Sequence, residues 1–107
     1  TAADLDCMKP GSLFVNTSRA GLVEPGALVE ALKKGQPGRA AVDVYEEEPV
    51  LHGEHPLLKL PNVICTPHLG YATSNTFESF YTKAIDSLLA YAEGEPINVI
   101  NPEALRR

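Results

Sequence analysis

The sequence predicts an α/β fold: about three short parallel strands with flanking helices, followed by a long C-terminal helix. Three observations predict it. SLFVN (12–16), AAVDVY (40–45) and NVICT (62–66) are short apolar runs bounded by turn residues, the pattern of strands buried on both faces. Two stretches, 25–34 and 73–92, carry apolar residues at helical spacing. Strand, helix, strand, long loop, strand, long helix is the order of βαβ units, which build parallel sheets with helices on their faces.

Taken in order, AADLDCM (2–8) favours a short helix that Lys9-Pro10-Gly11 ends. The first run follows. PGALVEALKK (25–34) then places Ala27, Leu28, Ala31 and Leu32 on one face. Pro25 suits its first turn, Lys33 and Lys34 its negative end, and Gly35 the position beyond. In AAVDVY only Asp43 breaks the apolar character. Residues 46–61, with three Pro, one Gly and several charges, read as a long loop of the kind that is usually functional or strained. The helix from Thr73 to about Ala92 carries the stripe Phe77, Phe80, Tyr81, Ala84, Ile85, Leu88 and Leu89, and Gly94 and Pro96 stop it. PINVI (96–100) suits a short strand or an extended return segment.

Composition narrows the function classes. The chain has 107 residues, one small domain's worth, with 44% hydrophobic and 21% charged residues. Nine Lys+Arg against fourteen Asp+Glu give a net charge of −5, without the clustered positive charge that nucleic acid requires. No apolar run approaches the roughly 20 residues of a membrane span, so neither partner is expected. Cys7 and Cys65 do not make a disulfide framework, and a cytoplasmic location is the default expectation. The sequence opens on Thr1 rather than Met and closes on NPEALRR, so it reads as a piece of a longer chain.

Parallel sheets place ligands beyond the carboxyl ends of their strands. There the three runs deliver Asn16-Thr17-Ser18-Arg19, then Asp43 and Glu46-Glu47-Glu48, then Thr66-Pro67-His68-Leu69-Gly70. Arginine clamps a carboxylate through its planar fork, histidine exchanges protons near neutrality, and a carboxylate orients a histidine and favours its charged form. Together they suit the reduction of a 2-oxo acid. Singly, Arg19 reads as a surface charge and the glutamates as a solvated loop. His52, Glu54 and His55 are too few and too loop-bound for a metal site, and none is expected.

The segments VNTSRAGLVEPGALVEALKKG, AAVDVYEEEP and HPLLKLPNVICTPHLGYAT resemble the C-terminal half of the NAD-binding domain of the D-isomer-specific 2-hydroxyacid dehydrogenases, a family that includes phosphoglycerate dehydrogenases. The resemblance covers Met8 to about Pro102, with three motifs in order. It implies a partial Rossmann-like sheet. Residues 1–72 would be the second half of the dinucleotide domain, and 73–107 a helix and tail leading toward a substrate domain outside this sequence. It implies the catalytic residues Arg19 (N-T-S-R), Glu48 (before proline in D-V-Y-E-E-E-P) and His68 (T-P-H-L-G). The implied cofactor contacts are Thr17, Ser18, Arg19, Asp43, His68, Leu69, Gly70 and Tyr71. The cofactor would be NAD or NADP, and the substrate a small 2-oxo or 2-hydroxy acid.

Two features depart from the family pattern. Many members carry glycine where Tyr71 stands. No G-x-G-x-x-G turn for the pyrophosphate occurs in the 107 residues, so the fragment alone is expected to have little activity. The alternative within the same family is a non-catalytic dinucleotide-sensing or protein-interaction module. Self-association, as a homo-oligomer, is expected from the open edge of SLFVN and the apolar stripe of the long helix.

Overall fold

The structure, a computed structural model, describes residues 1–105. It divides into two compact units, Thr1–Gly70 and the residues from Tyr71 onward. In the first unit a short helix α1 (Ala2–Asp6) leads to strand β1 (Leu13–Asn16), helix α2 (Ala27–Lys34), strand β2 (Arg39–Val42) and strand β3 (Val63–Cys65). The three strands form one parallel sheet in the order β1-β2-β3.

The register decides which side chains share a face. Val15 lies opposite Ala41 and Ala41 opposite Ile64, while Asn16, Val42 and Cys65 are aligned on the next row. Side chains alternate faces along a strand, so Phe14, Asn16, Ala40, Val42, Val63 and Cys65 point one way. That face carries the core, with Ala27, Leu28, Ala31 and Leu32 of α2 and Leu5 of α1. All four residues of the α2 stripe are buried, as the sequence spacing predicts. The opposite face is bare: Leu13 is 57%, Val15 55% and Ile64 69% exposed.

α2 ends where the sequence places its stop. Gly35 adopts φ +82°, a left-handed conformation that costs glycine nothing, and the amides of Gly35 and Gln36 satisfy carbonyls of the last turn. Its start differs. Pro25 and Gly26 form a turn outside the helix, and Ala27 is the first helical residue. β2 is also shorter than the 40–45 run. The Asp43 amide still reaches Asn16 O at 2.9 Å, but the Tyr45 amide turns to the side chain of Glu48 instead of a neighbouring strand. The loop 46–61 is not wholly irregular: Pro56–Lys59 form a 3₁₀ turn that buries Leu57.

In the second unit, helix α3 (Ser74–Ala92) is capped by the Thr73 hydroxyl. It buries none of its residues, and Phe77, Phe80, Tyr81, Ile85, Leu88 and Leu89 are all exposed. No strand forms at 96–100, where Asn98 takes φ +57° and breaks the extended run. Among the described residues, no helix is long and apolar enough to cross a membrane.

Candidate active site

The carboxyl ends of the three strands build one cluster. Asn16, buried at the end of β1, shapes the first loop. Its Nδ2 donates to Arg19 O at 2.9 Å, and its Oδ1 accepts from the Ser18 amide at 3.1 Å. An asparagine that bonds its own backbone two and three residues on replaces strand pairing with a turn. Arg19 is therefore set at the rim, exposed, with Nη1 donating to Ser18 O at 2.6 Å.

Asp43 is the hub. It is only 3% exposed, yet three donors converge on its carboxylate. Oδ1 accepts from the Thr66 hydroxyl and from the Leu69 amide at 2.8 Å, and Oδ2 accepts from the Gly70 amide at 2.6 Å. The Thr66 hydroxyl and these amides, with the nearby His68, hold its carboxyl below the usual aspartate range despite burial. Gly70 fits closely. A Cβ there would stand 3.0 Å from Asp43 Oδ2, so the carboxylate would have to give by a few tenths of an ångström, and 3.5 Å from Thr17 Cβ, in ordinary contact.

His68 sits at the crest of this turn with φ +55°, a left-handed conformation costing a non-glycine residue about 1–3 kcal/mol. The amides that Asp43 holds are the two that follow it, so the carboxylate pins the turn that strains the histidine. The His68 ring meets Glu48, with Nδ1 2.7 Å from Oε2 and both side chains about one third exposed (34% and 33%). The other oxygen of Glu48 accepts from the Tyr45 amide at 2.8 Å. The hydrogen bond to His68, then the Tyr45 amide, and then the charge of His68 and Arg19 keep the Glu48 carboxyl below its ordinary range. Glu48 is thus an anion at neutral pH, facing a histidine with an arginine near enough to act on it.

Two clefts flank the cluster. One, of about 540 Å³, is lined by Tyr45, Glu48, Val50, Leu58, Cys65 and His68 among others. The other, of about 490 Å³ at the end of β1, has Phe14, Val15, Thr17 and Ser18 in its walls. Of the residues the sequence singles out, Thr17, Arg19, Asp43, Glu48, His68, Leu69 and Gly70 gather at this strand end, with Ser18 between Thr17 and Arg19. Tyr71 belongs to the second unit, where its ring lies 6.3 Å from that of Phe77. No group of three potential metal ligands occurs among the described residues. Asn16, which the sequence reading places at the strand end without a role, and Tyr45, which it leaves out, both contribute to the site. An asparagine closing an apolar run is the signal for the first, and nothing in the periodicity marks the second.

Comparison with known proteins agrees with this architecture. Residues 1–70 match the family described as D-isomer specific 2-hydroxyacid dehydrogenase, NAD binding domain. The chain is 42% identical over 103 residues to glyoxylate reductase of Thermococcus litoralis, covering 95% of this chain and 30% of that protein. It superposes on the crystal structure of an oxidoreductase from Ralstonia solanacearum with a TM-score of 0.92 and 50% identity, covering 98% of this chain and 30% of that one. An NADPH-dependent glyoxylate/hydroxypyruvate reductase from Sinorhizobium meliloti, solved with NADP and malonate, gives a TM-score of 0.73 at 33% identity, covering 85% and 28%. The chain therefore spans about a third of the length of the relatives it matches. It belongs to the D-isomer specific 2-hydroxyacid dehydrogenase family.

Proposed function

We propose that the protein carrying this chain is an NAD(P)-dependent oxidoreductase interconverting a small 2-oxo acid and its 2-hydroxy acid. The observation that carries the reading is the Glu48–His68 pair at 2.7 Å, set at the carboxyl ends of three parallel strands, the first of which leads into the loop that carries Arg19. The names of the relatives point to glyoxylate and hydroxypyruvate as first substrates to try.

The residues present suit the nicotinamide side of the cofactor. The cleft at the end of β1 has apolar walls from Phe14 and Val15 and hydroxyls from Thr17 and Ser18. Backbone turned by Asp43 at Leu69 and Gly70 lies close to Thr17. When bound, the cofactor supplies or accepts hydride. Arg19 then clamps the substrate carboxylate and draws electron density toward the 2-oxo oxygen. His68 gives its Nε2 proton to that oxygen as negative charge develops there. Glu48, ionised and bonded to Nδ1, fixes the ring so that Nε2 faces the substrate. In the reverse direction the same nitrogen takes the proton back.

The test is loss of NADH or NADPH absorbance on mixing the intact protein with glyoxylate and hydroxypyruvate. Arg19→Ala is expected to raise KM and lower kcat together, because the clamp acts in both ground and transition states. Lysine at 19 recovers only part, lacking the planar fork. Dinucleotide binding without turnover of any 2-oxo acid would overturn the reading in favour of a sensing module.

A further inference from the structure

The site leaves one histidine–carboxylate pair unused. His55 Nε2 lies 2.8 Å from Glu46 Oε2, and His55 Nδ1 accepts the Leu57 amide at 3.3 Å. A backbone amide can only donate, so Nδ1 is the acceptor there and Nε2 is the nitrogen that faces Glu46. That bond holds the Glu46 carboxyl below its ordinary range. The His55 side chain is only 14% exposed, and its ring stands edge-on to Tyr45, with centroids 5.1 Å apart at 68°.

Tyr45 connects the two pairs. Its amide donates to Glu48 Oε1, its hydroxyl donates to Thr66 O at 2.9 Å, and its ring lies in the core. Thr66 is two residues before His68. One residue thus touches the carboxylate of the Glu48–His68 pair through its amide and the histidine's segment through its hydroxyl. What aims Glu48 is the placement of the Tyr45 backbone. What flanks that backbone is the next side chain, Glu46, tied to His55.

Resting on the function proposed above, we infer that Glu46 and His55 are positioning residues for the reaction. They form a strut that sets Tyr45 and, through its amide, the direction in which Glu48 holds His68. Asparagine at 55 would cap the Leu57 amide equally well. Only a ring with two nitrogens bridges that amide to Glu46 while laying an edge against Tyr45.

The test uses the intact protein with two readouts: steady-state kinetics with glyoxylate, and the NMR signals of the His68 ring nitrogens. Glu46→Ala and His55→Asn are each expected to lower kcat about tenfold with cofactor KM unchanged, since displacing a reacting group by about 1 Å costs up to roughly 10²-fold. Both should move the His68 nitrogen signals. The double variant should be no slower than either single one, because the two act as a unit. Glu46→Gln, which still accepts from Nε2–H, should restore the rate. His52→Asn, an exposed histidine of the same loop, should change nothing. If Glu46→Ala and His55→Asn leave both kcat and the His68 signals unmoved, the strut only fastens the loop and the inference falls. If the parent turns over no 2-oxo acid, the functional reading fails alone, and the His68 signals still decide the positioning role.

Discussion

Two histidine–carboxylate pairs occupy the same end of the sheet, with contacts of 2.7 Å at His68–Glu48 and 2.8 Å at His55–Glu46. Their pairing contacts are alike; their backbones are not. His55 has φ −64°, caps a 3₁₀ turn, and commits both ring nitrogens to the protein. His68 has φ +55° and lines a cleft of about 540 Å³ with Glu48. A carboxylate beside a histidine is therefore no mark of chemistry by itself. Here the mark is a strained backbone held by a third group, Asp43, so that the ring stands at a cleft rather than inside a turn.

The largest effect that sharpens this contrast is His68→Gln in the intact protein. It removes the proposed proton donor while keeping an amide for Glu48, so on that reading kcat for 2-oxo acid reduction should fall by about 10²–10⁴-fold with cofactor affinity nearly intact. Steady-state kinetics alongside cofactor titration checks it. A kcat within about threefold of the parent would make the two pairs equivalent, both structural.

Asp43→Asn probes what keeps His68 in its conformation. Three donors converge on the carboxylate, and an amide nitrogen placed among them sets donor against donor. The turn should relax and kcat should fall by roughly tenfold or more, as displaced catalytic groups do. Acid titration adds a second reading. The Asp43 carboxyl lies below its ordinary value of 3.8 in the folded chain. Its contribution to stability is therefore complete above that value and disappears as pH falls through the lowered one. Thermal melts of parent and variant should differ most near neutrality and converge in acid. A gap that stays constant with pH would mean that the carboxylate charge does not hold the turn.

How much of this was legible in the sequence depended on whether a residue's partner lay at a regular spacing. Ala27, Leu28, Ala31 and Leu32 recur with the helix period, and the same four are buried. Arg19, Glu48 and His68 could be located because each follows an apolar run, and the resemblance then separates Glu48 from Glu46 and Glu47. The anchoring by Asp43 was not legible. In the sequence it is a flaw in an apolar run, and its partners lie 23 to 27 positions away. Glu46 and His55 meet across a loop with no period, where only three-dimensional closure selects the pair. The 96–100 segment is as apolar as a strand, but Asn98 in the left-handed region interrupts it.

The smallest effect is read as stability, and it separates the pairs from the other side. His55→Ala removes the acceptor for the Leu57 amide, leaving the first turn of Pro56–Lys59 uncapped over a side chain that is only 6% exposed. Losing a cap costs about 0.5–2 kcal/mol. In the larger domain of the intact protein 1 kcal/mol moves Tm by about 2–4 °C. The burial of Leu57 persists, so the loss should stay near the lower figure. His68→Gln replaces a side chain about one third exposed and keeps an amide within reach of Glu48, so it should leave Tm nearly unchanged. Calorimetry of the two variants should therefore order them opposite to their rates: His55→Ala the less stable, His68→Gln the slower. If His68→Gln melts lower than His55→Ala, the strained turn depends on the imidazole itself, and Asp43 is not what holds it.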